Sequence, residues 1–180
     1  MEEIGGNAGT SPGADPARPD PAGEAPQTPP PPAGRLVVVT GPLGPGCHRL
    51  AWAMARRLDQ SVVVDGPILA GFVASEHASA ADELGTIRTS LLRYCAQIAV
   101  AETYRRAGYD VLIVEDLPGQ RLVDFLDLAS PDEVHLVVVD GTPPSYPRGL
   151  HVLTQADMEE LAAQVLVRLD EARLPPTAQG

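Results

Sequence analysis

Two glycines, Gly41 and Gly46, lie five positions apart between a run of β-branched residues and a stretch with helical spacing. Gly44 lies between them and is a third position without a side chain. Glycines in such a loop let the backbone turn tightly and direct its N–H groups, together with a helix N-terminus, at an anion. The loop therefore has the backbone chemistry of a phosphate site.

The residues that follow the second glycine are Cys47 and His48. In the phosphate-binding motif with two glycines at this spacing, these positions carry a lysine that reaches the phosphates and a hydroxyl that binds Mg2+. All 13 basic residues of the chain are arginines, so no lysine elsewhere can replace it. Arg49 could substitute, although it lies two positions past the lysine slot. Losing a charge-assisted contact costs about 1.5–3 kcal/mol, so we expect weak binding and little phosphoryl transfer.

Other chemistry is open for the same segment. The loop could be only a tight connection between a strand and a helix. It could bind a dinucleotide, with Asp65 holding a ribose, although its glycines run G-x-x-G-x-G rather than G-x-G-x-x-G. Cys47 at a helix N-terminus could have a lowered pKa and act as a nucleophile. A metal site built from Cys47, His48 and Asp65 is a further alternative.

Acidic side chains end three other predicted strands. Asp65 follows the run at 61–64, Glu115 and Asp116 follow the run at 111–114, and Asp140 follows the run at 134–139. Carboxyl ends of parallel strands meet at one edge of a sheet, where ligands bind. We therefore expect these acids to lie beside the glycine loop, although each could equally be a solvated residue of a turn.

Apolar patterns of strand and helix type alternate after Arg35. Predicted strands cover residues 36–39, 61–64, 111–114 and 134–139, with a fifth at 150–153 whose short connection is unusual for a parallel crossover. The predicted long helix, which ends near Gly108, has one apolar face, formed by Ile87, Leu91, Leu92, Cys95, Ile98 and Ala99. The last helix starts at a capping-box-like segment at 154–157. This order predicts an α/β three-layer sandwich with a mostly parallel sheet of four or five strands.

Composition divides the chain into a tail and one domain. Residues 1–34 are rich in Pro, Gly and Ala and have little to bury, so we expect a disordered tail that could contact protein partners. The domain is expected at 35–173 and a disordered end at 174–180. The net charge of −11 argues against nucleic acid. No run approaches the roughly 20 apolar residues of a membrane span, and the cysteine spacing favours free thiols, so a cytoplasmic location is expected.

Four segments in this order resemble the small-molecule branch of the P-loop kinases, which includes chloramphenicol phosphotransferase-like, adenylylsulfate and gluconate kinases. The segments are VVVTGPLGPG, VVVDGP, AGYDVLIVED and VHLVVVD, followed by an amphipathic helix, and the resemblance covers residues 36–169. It implies a P-loop kinase-like fold, with ATP and Mg2+ as weakly bound cofactors. The residues it assigns to the nucleotide are Gly41, Gly44, Gly46, Cys47, His48, Arg49 and Arg148.

The resemblance also implies roles for residues outside the loop. Asp65 corresponds to an aspartate that contacts the acceptor hydroxyl, as base or orienter, and Glu115 or Asp116 to an acid that helps hold Mg2+. The long helix would approach the acceptor with Arg88, Arg93 and Gln97, although a solvated helix face is the preferred explanation of these three. Family members carry an arginine-bearing lid before the last strand, where this chain keeps only Arg148.

Three functions follow, in order of preference. The first is a degenerate P-loop kinase-like protein that binds a nucleotide or another phosphorylated ligand weakly, or serves as a scaffold. The second is an active ATP-dependent small-molecule phosphotransferase with a non-standard phosphate loop. The third is a protein-protein interaction module with an empty site.

Overall fold

The structure is a computed structural model, and it describes residues 32–42, 44–73, 83–141, 145–154 and 157–175. The predicted tail at 1–34 therefore lies almost entirely outside the described residues, as does most of the predicted C-terminal end. The chain packs on the domain from Gly34, whose backbone N–H donates to the carbonyl of Arg105 at 3.0 Å. No described helix has the length and apolar character needed to cross a bilayer.

All five predicted strands form, and they build a parallel sheet in the order β2-β3-β1-β4-β5. The strands are β1 (Leu36–Thr40), β2 (Ser61–Asp65), β3 (Asp110–Val114), β4 (Val134–Val139) and β5 (Leu150–Val152). A sixth strand, β6 (Arg173–Leu174), pairs antiparallel with the start of β4. Two residues are too few to show an alternating pattern, which is why the sequence did not predict β6.

Helices cover both faces of the sheet. They are α1 (Pro45–Ala55), α2 (Gly66–Ala70), α3 (Glu83–Arg106), α4 (Gln120–Ala129) and α5 (Met158–Val167), followed by a 3-10 turn at Leu169–Ala172. Alternate strand residues face different cores: Val37 and Val39 pack with α1 and α5, whereas Leu36 and Val38 pack with α3 and α4. The central strands of the sheet are thus buried on both faces, which confirms the predicted three-layer α/β architecture.

The buried face of α3 matches the predicted one only at Ile98 and at the half-buried Leu91. Its buried residues are Tyr94, Gln97, Ile98 and Ala101, whereas Ile87, Leu92, Cys95 and Ala99 are exposed. The helix buries Gln97 completely because its amide donates a hydrogen bond to a carboxylate at the end of β3. The amide nitrogen of Gln97 is paired in this way, whereas its Oε1 is buried without a partner among the described residues. The bond to the carboxylate rotates the buried face away from the position that hydrophobicity alone predicts.

The starts of α2 and α5 are set by aspartates. Asp65 precedes α2, which begins at Gly66 with Pro67 in its first turn, where proline is accepted. The start of α5 is capped by Asp157, whose carboxylate accepts from the backbone N–H groups of Glu159 and Glu160. Thr154 was part of the predicted capping segment, but its hydrogen bonds are to Asp140.

The connection from β4 to the parallel strand β5 spans only residues 140–149. Two residues with positive φ make this possible, Asp140 (52°) at its start and Gly149 (98°) at its end. The backbone N–H of Asp140 also donates to the carbonyl of Val152 at 2.8 Å, which closes the connection. The fifth strand is therefore confirmed despite its short crossover.

Candidate functional site

A cavity of about 210 Å3 lies at the carboxyl edge of the sheet, where the ends of β1, β2 and β3 meet the N-terminus of α1. It brings together seven of the residues singled out from the sequence. They are Gly41, Gly44, Cys47, His48, Asp65, Glu115 and Asp116. The expectation that strand-end acids lie beside the glycine loop agrees with this arrangement.

The loop lies close to the sheet because Gly41 has no side chain. A Cβ at this position would lie 2.1 Å from the carbonyl oxygen of Val139 and 3.2 Å from Sγ of Cys47. At Gly44 the helix cap has no side-chain hydrogen bond, and Pro45 opens the first turn of α1. Since Gly44 has no side chain, it does not cap the backbone N–H groups at the start of α1. An anion site requires that such groups are open to the ligand.

Cys47 holds the lysine position, and its side chain is buried, with 7% of the residue exposed. Burial raises the pKa of the Cys47 thiol to about 11, and the charges of Asp116 and Asp140 act in the same direction. The thiol is therefore protonated and neutral near pH 7. This result argues against the alternative of an activated cysteine nucleophile, because burial, followed by the nearby acids, raises the pKa of the thiol instead of lowering it.

We expect the two free cysteines to react very differently with a thiol reagent. Cys95 is exposed on α3, whereas Cys47 is buried and has a raised pKa. At pH 7–8, Ellman's reagent should modify one thiol rapidly and the second only on unfolding, because the thiolate is the reactive form. Cys95→Ala should remove the rapid phase. If Cys47→Ala removes it instead, the thiol of Cys47 is accessible and ionised.

His48 is the residue in the position of the magnesium-binding hydroxyl. Its Nδ1 lies 2.6 Å from Oδ2 of Asp65, which forms an ion pair when the imidazole is protonated. The other carboxylate oxygen of Asp65 accepts from the backbone N–H of Ile68 at 3.2 Å and so caps α2. Trp52, one turn further along α1, stacks at a tilt against the His48 ring, with 6.2 Å between the ring centroids.

The carboxylate of Glu115 is buried at the end of β3 and fully engaged with α3. Arg93 donates to both of its oxygens, at 2.7 and 3.1 Å, and Gln97 donates to Oε2 at 2.6 Å. Gly66 lies against this group, since a Cβ there would be 2.1 Å from Oε2 of Glu115. Arg93, Gln97 and Glu115 thus form one network that positions α2 and α3 beside the cavity.

Two site contacts were missed by the sequence analysis. Tyr146 is buried, and its hydroxyl donates to Oδ1 of Asp116 at 2.9 Å; burial and this neighbouring carboxylate raise the pKa of Tyr146. Thr154 donates its backbone N–H to Oδ1 of Asp140 at 2.6 Å, and its hydroxyl bonds to Oδ2 of Asp140. The only sequence signal for the first contact was that Tyr146 is an aromatic residue within an otherwise polar, proline-rich connector.

Three predicted arginines lie outside the cavity. Arg49 lines a wide depression of about 740 Å3 between α1 and the start of α5, which His48 also lines. Arg88 lines an apolar groove of about 690 Å3 between α2 and α3, together with Phe72. Arg148 is exposed just before β5. Gly46 is not part of the cavity lining, and a Cβ there would lie 3.1 Å from the Thr154 hydroxyl.

No protein-family model matches the chain, and no curated protein matches its sequence. Solved structures do match it. The APS kinase CysC of Mycobacterium tuberculosis is 22% identical, with a TM-score of 0.60, over 78% of this chain and 99% of the kinase. The fold is P-loop kinase-like. Another structure of that kinase, in complex with AMPPNP and APS, is 18% identical over the same shares, with a TM-score of 0.58.

The tunicamycin resistance protein of Deinococcus radiodurans has a similar structure, with 15% identity, a TM-score of 0.56, and coverage of 80% of this chain and 99% of that protein. At these identities the similarity establishes the P-loop kinase-like fold and not the activity. Within this fold, the chemistry of the site depends on the side chains that the cavity contains, above all Cys47 and His48.

Proposed function

We propose that this chain binds a nucleotide or another phosphorylated small molecule weakly at the loop 41–46 and transfers phosphoryl groups poorly or not at all. The observation that supports this most is the neutral, buried thiol of Cys47 in the position of the phosphate-binding lysine. The glycine loop and the start of α1 supply N–H groups to an anion, but the side chain supplies no charge. The protein would then be a pseudokinase or a scaffold.

The charges around the cavity support the weak affinity. Asp65 and Asp116 line the cavity, and Asp140 lies close enough to raise the pKa of Cys47. Their combined field repels an anion, and among the described lining residues only His48 can carry a positive charge that offsets it. Removing a donor that stabilises a transition state typically lowers a rate by roughly 100–1,000-fold. These features support weak binding and slow phosphoryl transfer.

An active small-molecule phosphotransferase is the second candidate, favoured by the position of Asp65. Its carboxylate lines the cavity at the end of β2, where the resemblance places the group that contacts an acceptor hydroxyl. The hydrogen bond to His48 would leave the pair able to accept a proton from that hydroxyl. Turnover of ATP with an acceptor, lost in Asp65→Asn, would favour this candidate over the first.

The proposed ligand site is tested by adding a bulky, charged side chain to the glycine loop at a position where it should not disturb the fold. Gly44 is exposed, and a Cβ there would meet only the carbonyl of Pro42 at 3.7 Å, so Gly44→Glu should fold normally. We expect wild type to gain thermal stability with ATP, ADP or pyrophosphate, because a ligand that binds only the folded form stabilises it. Gly44→Glu should lose this gain through bulk and negative charge.

The control adds the same charge elsewhere. Ala107→Glu lies in the exposed turn after α3, at the opposite edge of the sheet, and should retain the ligand-induced rise in melting temperature. Circular dichroism tests whether both variants are folded. A ligand effect that survives Gly44→Glu would place the ligand elsewhere, and no effect with any of the three compounds in wild type would contradict the proposed function.

A further inference from the structure

The acids predicted to hold Mg2+ are already engaged by protein donors. Both oxygens of Glu115 accept from Arg93; Oε2 also accepts from Gln97, and Oε1 from the backbone N–H of Asp116. In an ion pair, the guanidinium compensates the negative charge of the carboxylate and engages its oxygens, so the attraction for a divalent cation is weakened. Glu115 is therefore a structural ion-pair partner and a poor magnesium ligand.

The remaining acids of the site are engaged in part, and they leave only Oδ2 of Asp116 without a bond to the described residues. Oδ1 of Asp116 accepts from the hydroxyl of Tyr146, and both oxygens of Asp140 accept from Thr154. Mg2+ requires near-octahedral coordination by oxygen and is usually held by one or two carboxylates together with a hydroxyl, phosphates and water. Within the described parts of the chain, no three His, Cys, Asp or Glu side chains are grouped to hold a metal ion.

The contact between His48 and Asp65 occupies the region between the loop and the end of β2. His48 replaces the hydroxyl ligand with an imidazole, and imidazole is a poor ligand for Mg2+, which prefers oxygen. The 2.6 Å distance between its Nδ1 and Oδ2 of Asp65 leaves no space for an ion between these two groups. The donor set of this site thus does not fit magnesium, although the fold family implies it.

We propose that phosphate binding at this site is independent of divalent metal, and that the His48 imidazole, held by Asp65, contacts the ligand phosphate in place of Mg2+. The inference rests on the proposed function, since it concerns the same ligand. An ionised carboxylate only accepts hydrogen bonds, so Nδ1 of His48 carries the proton that faces Asp65. This arrangement fixes the ring, as a carboxylate does for the histidine of a catalytic triad.

The second ring nitrogen is the group that a ligand can reach. His48 lines the cavity, its side chain is 46% exposed, and Nε2 has no hydrogen-bond partner among the residues with described positions. A protonated imidazole donates from both nitrogens, so Nε2–H can donate to a phosphate oxygen while Nδ1–H stays on Asp65. On the cavity side, the charged groups around His48 are Asp65 on β2 and Glu115 and Asp116 after β3. On its other side, they are Arg49 and Arg56 on α1 and Asp157 and Glu159 at the start of α5.

Isothermal titration of the full chain with ATP and with inorganic pyrophosphate, in Mg2+ and again in EDTA, tests the inference. We expect the dissociation constant of each compound to agree within about twofold between the two conditions, because no metal bridges the ligand to the protein. Binding that requires Mg2+ would overturn the inference and leave the proposed function intact. An absence of binding in both conditions would overturn the proposed function itself.

Two variants test whether His48 is the contact. In EDTA, His48→Ser should weaken binding about tenfold, the loss of one charge-assisted hydrogen bond, and in Mg2+ it should recover part of that loss through its hydroxyl. His151→Ser removes an exposed histidine outside the cavity and should bind like wild type. Both positions are exposed, so the variants should fold. Unchanged affinity of His48→Ser in EDTA would overturn the role given to the imidazole.

Discussion

Replacing Cys47 with lysine and His48 with serine should raise the affinity for ATP in the presence of Mg2+ about tenfold or more. The double variant restores the residue types that a phosphate-binding loop uses, an ammonium for the phosphates and a hydroxyl for the metal. One charge-assisted contact supplies about 1.5–3 kcal/mol, and 1.4 kcal/mol corresponds to one decade of affinity. Isothermal titration measures the change.

The lysine can reach the cavity from this position. Cys47 lines the cavity at the start of α1, so a lysine stem can follow the apolar wall while its ammonium points toward the ligand. The nearby acids Asp116 and Asp140, which raise the pKa of the thiol, would stabilise an ammonium instead. The same acids that disfavour an anion in wild type therefore favour the restored lysine.

A matched control separates a restored site from a general gain of positive charge. Cys95→Lys adds the same charge on the exposed face of α3, outside the cavity, and should leave the ATP affinity unchanged. Guanidinium unfolding monitors whether either lysine disturbs the fold. Unchanged or weaker ATP binding by a properly folded double variant would contradict the interpretation of the loop as a degenerate phosphate site. Equal gains in the double variant and the control would point to nonspecific electrostatics.

Much of the fold could be predicted because its signals are local. The strands of the centre are continuous apolar runs, which is the pattern of strands buried on both faces, and each ends in an acid or a glycine. The crossover rules then place these ends at one edge, so the sequence predicted that Gly41, Asp65 and Glu115 would lie together. The cavity contains all three.

The partners of those residues could not be predicted, because they come from distant segments. Tyr146 reaches Asp116 across 30 positions of sequence, and Arg93 reaches Glu115 across 22. Hydrophobic spacing places a helix but does not say which polar residue on it is buried, so Gln97 was assigned to an acceptor rather than to the protein interior. The geometry of the site depends on these side-chain pairings, which have no periodic signal.

The hydrogen-bond network around Glu115 lies beside the cavity, but we expect its main contribution to be to the stability of the fold. We expect Arg93→Met to lower the free energy of unfolding by about 3–5 kcal/mol, because it leaves a buried carboxylate without its cation. The carboxylate of Glu115 has only 3% of its side chain exposed, so water cannot replace the guanidinium. Such a loss is a large fraction of the roughly 5–15 kcal/mol that stabilises a typical domain. Chemical denaturation followed by circular dichroism measures it.

Removing the charge that Arg93→Met leaves unpaired should recover part of this loss. Glu115→Gln in the Arg93→Met background replaces the buried charge with a neutral amide, and its oxygen can still accept from Gln97. Arg88→Met is the control: it removes an exposed arginine from the same helix and should change stability by about 0.5 kcal/mol or less. If Arg93→Met costs no more than this control, Arg93 and Glu115 form only a solvated pair, and the carboxylate would again be available to a ligand or a metal ion. A large loss that Glu115→Gln reduces would instead show that this acid stabilises the fold through its ion pair.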